Sequence, residues 1–407
     1  MWMSLHHRGV RGGRLRPAMV ATVAAALGVA MLIATPGAAQ ASPAGHGASP
    51  QWAGASHEHS TATCPPHAVA LGYSDALDKL EVDGAEVGGL SGMVYDVRRH
   101  AYAAIEDHSG DQVSRMWFFT DPADPHITGT LTLSAADGTP YSAANFDAEG
   151  LAILPNGDYL VSSEVEPSIH VFGRDGVERY QLPVPARFDV APAGQATDNA
   201  TLEGLTLSLD GRFIYASMEG TLSGDISSAG ADTYRRILVY QRGRDGYQLA
   251  GQIGYRVDPG MRISEAQAYG RDGLLVMEAA WDSVHGNTIR LYAVPNVSRA
   301  RDVSAVTDLG DHPQSVVRKT LVADVTQCPD LGATAKEAQA NPLMDNFEAM
   351  AIVSGHRGVR PPARAAWSHG GWHRPVLDSE VLLLSDDNFG DTQTTRLLRL
   401  AAPLPGR

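Results

Sequence analysis

The chain has 407 residues, 43% of them hydrophobic, and its 32 Lys and Arg against 46 Asp and Glu leave a formal net charge of -14 at pH 7. An acidic surface of that size repels nucleic acid and anionic membrane, which are recognised through basic patches, while metal cations would be attracted to it. Two cysteines in the whole chain allow a single disulfide.

Residues 1–41 read as a secretory signal peptide. Arg8, Arg11, Arg14 and Arg16 form a basic leader, Ala18 to Ile33 is apolar, and "AQA" at Ala39 to Ala41 fits a small-residue cleavage site. The apolar run is short for a span of roughly 20 residues, which argues against a retained anchor. Removing four arginines and no acid takes the charge from -14 to -18. The mature protein is therefore expected to be secreted, with no membrane contact once the signal is cleaved. Residues 42–63, rich in Ala, Gly, Ser and His, read as a flexible linker. His46, His57 and His59 lie there with nothing to hold them in a fixed geometry. In an oxidising compartment Cys64 and Cys328 are expected to pair, tying the start of the domain to a connection late in the chain.

The domain, residues 64–403, is repetitive. Four segments align on an acid followed by alternating apolar positions: "EGLAILPNGDYLVSSE" from Glu149, "EGLTLSLDGRFIYASME" from Glu203, "EAQAYGRDGLLVME" from Glu265, and "EAMAIV" from Glu348, whose partner run is "VLLLSDD". "GLSGMVYDVRRHAYAAIED" from Gly89 has the same outline without the leading acid. Each reads as a β-hairpin, because "PNGD", "LDGR" and "GRDG" supply the Asn/Asp-Gly pairs that tolerate positive φ. Further strand-like runs follow each hairpin, among them "RMWFFT", "SIHVF", "RILVYQ" and "IRLYAV", and no amphipathic helix of convincing length occurs. The fold class is therefore all-β: a β-propeller of five or six blades with four-stranded antiparallel blades. Two tandem β-sandwiches are the alternative. Five repeats are counted; a sixth blade would require one long unit to be split. The last repeat lacks an outer strand, and "HAVALGY" at His67 to Tyr73 is expected to supply it, closing the ring.

The start of the first strand and the end of the second lie at the same end of a hairpin. Counting around the turns pairs Leu154 with Tyr159, which puts Glu149 opposite Glu164, and puts Glu265 opposite Glu278. Glu203 and Glu219 come one residue out of register, allowing for a bulge. Glu106 and Asp107 reach the same level in the first unit, and Glu348 meets Asp386 and Asp387 in the last. Like charges opposed across strands are destabilising by up to about 1 kcal/mol per pair, so the arrangement needs compensation. Either each Glu accepts backbone hydrogen bonds from a neighbouring blade, or the carboxylates ring a channel mouth and bind hard cations, calcium above all. No His or Cys recurs at these positions, which disfavours zinc and copper.

"GLSGMVYD" with "YAAIED", the two "EGL" hairpins, "NFEAMAIV" and "VLLLSDDNFGDTQTTRLLRL" together resemble the phytase-like family known for the esterase-like activity of phytase, from about Leu71 to Leu400. The resemblance implies hydrolysis of phosphate or other esters by an exported protein. Relatedness to calcium-dependent β-propeller phytases would imply bridging calcium ions that bind a phosphate and activate a water. Those enzymes' catalytic residues do not carry over one by one.

The residues do not support a serine nucleophile. "GLSGM" has Met93 where a G-x-S-x-G elbow needs glycine, no S-x-x-K precedes Lys79, Lys319 or Lys336, and H-E-x-x-H is missing. His108, in "EDHSGD", is the candidate general acid or base, with a loop histidine of no role as the alternative. The insertion Ser354 to Pro375 carries Arg357, Arg360, Arg364 and Arg374 with His356, His369 and His373, and is expected to emerge at the opposite end of the ring. The function expected is a secreted, calcium-dependent hydrolase acting on a small-molecule ester or phosphate ester as a monomer. The alternative is a non-catalytic, calcium-stabilised propeller that binds a ligand or protein.

Overall fold

Alternating apolar residues around Gly-containing turns form antiparallel hairpins, and further strands extend each hairpin into a sheet. A computed structural model describes residues 63–107, 113–353 and 379–404. The expected signal segment, nearly all of the expected linker, His108 and the basic insertion lie outside the described residues.

Five sheets form the blades. The first has strands Leu90–Asp96, Ala101–Glu106, Arg115–Thr120 and His126–Thr132 from inside outwards. The second has Ala148–Ile153, Tyr159–Ser163, Ser168–Phe172 and Glu178–Leu182. The third has Leu202–Leu207, Phe213–Met218, Tyr234–Gly243 and Gly246–Arg256. The fourth has Arg262–Tyr269, Gly273–Asp282, Gly286–Pro295 and Thr320–Asp324. The fifth begins with Phe347–Val353, Ser379–Ser385 and Leu397–Ala402, and is completed from the N-terminus by Ala68–Ser74 and the short Thr63–Cys64. Each inner strand packs against the next, and the fifth returns to the first, so the ring is closed at five blades. The long unit between Glu265 and Glu348 is not split: it holds loops and short 3-10 turns in place of a sixth blade.

The apolar core is divided among the blade interfaces. Phe118 and Phe172 pack between the first and second blades, Leu205 and Leu160 between the second and third, and Tyr255 and Val276 between the third and fourth. Met277 and Phe347 join the fourth to the fifth, and Trp117 and Leu384 the fifth to the first. Ring closure is stitched covalently by the Cys64–Cys328 disulfide, whose Cα atoms are 4.2 Å apart. Pro66 also bridges Ala323, the outer strand of the fourth blade, before the chain enters the fifth.

One hairpin escapes the repeat pattern: Leu80–Val82 pairs with Ala85–Val87 around Asp83-Gly84, both at positive φ. The register differs from the turn counting. Tyr159 pairs with Ile153 rather than Leu154, and Glu265 with Met277 rather than Glu278. In every blade the register then shifts again near the start of the inner strand, at Ser91, Glu149–Gly150, Glu203–Gly204, Ser264 and Glu348. These are β-bulges, which take up an extra residue and re-aim its side chain.

Candidate functional site

The bulges create the site. Successive side chains on a strand alternate faces, so a one-residue shift decides which residue looks into the channel. The bulged positions at the mouth are Ser91, Glu149, Glu203, Ser264 and Glu348. A second tier comes from the residue after the second strand, whose N–H donates to the residue before the first: Asp107 to Gly89, Glu164 to Asp147, Glu219 to Thr201 and Asp386 to Asn346, all at 2.6 to 2.9 Å. The fourth blade breaks the pattern, for there Arg262 pairs with Ala279.

Tight packing of the inner strands holds these positions. A Cβ on Gly150 would lie 2.4 Å from the Glu203 carbonyl oxygen, and one on Gly204 would lie 2.5 Å from the Ala266 nitrogen. The glycine of "EGL" is thus where one blade's backbone meets the next. Ser162 secures the bulge, accepting from Gly150 N–H at 2.8 Å and donating to Glu203 C=O at 2.9 Å.

Asp107, Asp147, Glu149, Glu164, Glu203, Glu219, Glu348 and Asp386 therefore converge on the mouth, where the Arg262 guanidinium pairs with three of them. The Arg262 Nη1 reaches Glu203 at 3.1 Å and Glu219 at 2.9 Å, while Nη2 reaches Glu348 at 2.6 Å and Asn346 at 3.2 Å. Asp147 and Arg262 were not anticipated from the sequence. The i, i+2 spacing of Asp147 and Glu149 was a usable signal, since it puts both on one face of an extended segment.

Four expected members of the ring have other partners. Glu106 pairs with Leu90 in the ladder, faces Arg115 at 3.1 Å, and accepts from the Trp117 indole N–H. Glu265 is one residue past the bulge and points between blades, where it accepts from Leu205 N–H at 3.2 Å and Ala266 N–H at 2.7 Å. That is the backbone-bonding role considered as the alternative to cation binding. Glu278 accepts from the Tyr255 hydroxyl at 2.6 Å and Asp258 N–H at 2.9 Å, beside Lys319. Asp387 turns away from Asp386 and binds Lys79 Nζ at 2.8 Å and Gly89 N–H at 2.9 Å. For Glu265 the bulge at Ser264 puts the side chain on the other face of its strand.

Burial, then repulsion, sets the electrostatics. Burial pushes the Asp107 carboxyl up to about 11, helped by its hydrogen bond with Asp147 and the charges of Asp386, Asp147 and Glu348. Glu149 is raised well above the carboxylate range by burial and then by Glu203, Asp107, Glu164 and Glu348. Glu164 is raised to about 7 by burial and Glu219. Burial likewise raises Glu203 and Glu219, and there Arg262 opposes it. Asp386 is raised by burial and then by Glu348. Burial would lower the Arg262 pKa, but Glu348, Glu219 and Glu203 outweigh it and raise it.

Two carboxylate triads stand out. Oxygens of Asp107, Asp147 and Glu149 lie within 4.8 Å of one another, as do those of Glu164, Glu203 and Glu219. Two oxygens on one calcium, each at about 2.3 to 2.6 Å, are at most about 5 Å apart, so either triad fits a single ion. The first has the stronger need for one. Among the described residues Glu149, 6% exposed, has no hydrogen-bond donor or cation, and Asp147 Oδ1 is buried without a partner. A hard cation is the complement such oxygens lack.

The sequence pattern of the family described as "Phytase-like: Esterase-like activity of phytase" matches residues 85–389. No curated protein matches the chain. Solved structures similar to it include the PQQ-bound aldose sugar dehydrogenase of Streptomyces coelicolor, at 12% identity over 80% of this chain and 84% of that one, with a TM-score of 0.35. Virginiamycin B lyase from Staphylococcus aureus is 8% identical over 77% of this chain and 95% of its own, with a TM-score of 0.32. A GH43 β-1,3-galactosidase is 11% identical over 78% of this chain and 57% of its own, with a TM-score of 0.42. At those scores they bear on neither the fold nor the chemistry of this chain.

Proposed function

The chain belongs to the phytase-like family described by the esterase-like activity of phytase, and from that premise we propose that it is an exported hydrolase that uses a divalent cation, calcium by preference, to cleave phosphate esters or related esters at the channel mouth. The observation that carries this reading is the triad of Asp107, Asp147 and Glu149, closely spaced and short of positive charge.

These three side chains would hold the ion, with Asp386 adding charge beside Asp107. The ion would supply the positive field that draws in an anionic ester and lowers the pKa of a water. The protein's own contribution is positioning. The bulges aim the carboxylates, and the closed ring of inner strands keeps them in place when their charges are unbalanced. Arg262, with 26% of its side chain exposed, offers the mouth's own positive charge to a phosphate oxygen. Export is supported by the leader of residues 1–41 and by the disulfide; among the described residues no helix is long and apolar enough to cross a membrane. The net charge supports a small-molecule substrate and no nucleic-acid partner.

The test is hydrolysis of p-nitrophenyl phosphate, bis-p-nitrophenyl phosphate and a short-chain acyl ester, each with calcium or with chelator. Calcium-dependent release from the phosphates supports the reading. Release from none of them, with calcium still raising the melting temperature, supports a binding propeller instead.

A further inference from the structure

Among the described residues the mouth offers two carboxylate triads, and one of them is short of positive charge. We propose that Arg262 is the built-in cation of the Glu164, Glu203 and Glu219 triad, so that the mouth takes one divalent ion, at Asp107, Asp147 and Glu149, where its acids alone would hold two. The proposal deepens the metal-dependent reading above and rests on it.

The argument starts from the broken repeat. The other blades place Gly89, Asp147, Thr201 and Asn346 before the inner strand, and each follows the second strand with an acid. The fourth blade has Arg262 at the first place, Ala279 at the second and Ser264 at the bulge. It gives the mouth no carboxylate and one fixed positive charge. That charge is directed: Nη1 sits between Glu203 and Glu219 of the third blade, and Nη2 is held by Glu348 and Asn346 of the fifth. Like charges repel, so a divalent ion bound by the same Glu203 and Glu219 oxygens would be within a few ångströms of the guanidinium and would have to displace it. Displacement would strip Nη1 of its contacts with Glu203 and Glu219 and leave the part-buried guanidinium beside the ion.

Nothing comparable protects the first triad. Glu149 is nine-tenths buried with no donor, Asp147 Oδ1 is buried and unpartnered, and no Arg or Lys reaches either among the described residues. Arg262 thus sorts two sites of similar geometry by charge: one is already compensated and the other is left for the ion.

Equilibrium dialysis of the full chain against calcium, followed by elemental analysis, reads the stoichiometry directly. The expected result is about one ion per chain in the wild type and in Glu203→Gln, none in Asp147→Asn, and about two in Arg262→Gln. Two ions in the wild type, a single ion in folded Arg262→Gln, or loss of the ion in Glu203→Gln with retention in Asp147→Asn would overturn the proposal while leaving the metal-dependent reading in place. No ion in the wild type would overturn both. If Arg262→Gln fails to fold, the comparison of Glu203→Gln with Asp147→Asn decides alone.

Discussion

The Arg262 guanidinium lies 2.6 Å from the Glu348 carboxylate, and this contact joins the inner strand of the fourth blade to that of the fifth at the channel mouth. The same side chain reaches Glu203 and Glu219 in the third blade. Arg262→Ala would leave buried Glu203 and Glu348 and part-buried Glu219 without their shared cation. Breaking a buried ion pair by removing one partner costs about 3 to 5 kcal/mol. We expect a loss of that order in chelator by denaturant unfolding, with calcium recovering part of it by entering the space vacated.

The mouth acids also set a dependence on pH. Glu164 titrates near 7 in the folded chain, through burial and Glu219, against about 4.3 in an unfolded one. Asp107 is raised further, to about 11, by burial and its neighbours. The folded state then holds protons that the unfolded state has released. Stability from these groups is complete below the unfolded pKa and is lost as pH rises through the folded one. Thermal melts in chelator should fall between pH 5 and pH 8, by on the order of 2 kcal/mol for Glu164. Calcium should flatten the part due to Asp107, because a cation bound there favours the ionised form. A chelated protein that gains stability over this window would contradict the assignment.

Close approach between blades makes the glycines of "EGL" sensitive. A Cβ at Gly150 meets the Glu203 carbonyl at 2.4 Å and Leu205 Cβ at 2.5 Å, with no flexible side-chain end to move aside. Gly150→Ala should destabilise by about 1 to 3 kcal/mol or more, since overpacking forces backbone shifts. Ala at Gly129, a strand position without positive φ where no atom lies within 4 Å, controls for loss of a glycine without the clash. Equal effects at the two positions in chemical denaturation would argue against a packing origin.

The propeller was legible in the sequence because period-2 alternation and Gly-centred turns are local signals. So were the Cys64–Cys328 pair and closure of the ring by an N-terminal strand, which the structure places at Ala68–Ser74. The mouth was less so. Aligning "EAQAY" on Glu265 matched it to Glu149, yet the bulge falls at Ser264, and that one residue sends Glu265 between blades. A bulge leaves no compositional mark comparable to a turn glycine, so counting from the turn accumulates error along the strand. Asp386 and Asp387 show the same limit: adjacent acids on an extended segment face opposite ways, one to Glu348 and the other to Lys79. Arg262 was hidden for another reason, since its partners are 43 to 86 residues away and no local pattern announces such pairs.

The disulfide links residues 264 apart and fastens the strand that closes the ring. Removing it frees the N-terminal strand in the unfolded chain and loosens the last blade interface in the folded one. The Cys64→Ser, Cys328→Ser double variant should lose about 2 to 5 kcal/mol. Hydrogen exchange should then quicken first in Ala68–Ser74 and at its pairing with Leu397–Ala402, the ladder that makes the closure. Uniform quickening across all blades would show that closure is not a separable step.

The most direct test of the metal-dependent mouth is the rate of p-nitrophenyl phosphate hydrolysis by the wild type and by Asp147→Asn, each measured across a calcium titration starting from chelated protein. Asp147 makes no ion pair among the described residues, and its N–H and C=O are backbone groups that the substitution spares. The account predicts a calcium-dependent rate in the wild type that falls at least about 100-fold in a folded Asp147→Asn, the loss typical of removing a group that orients a catalytic charge. Hydrolysis that persists in chelator, or that is unchanged by Asp147→Asn, would contradict it.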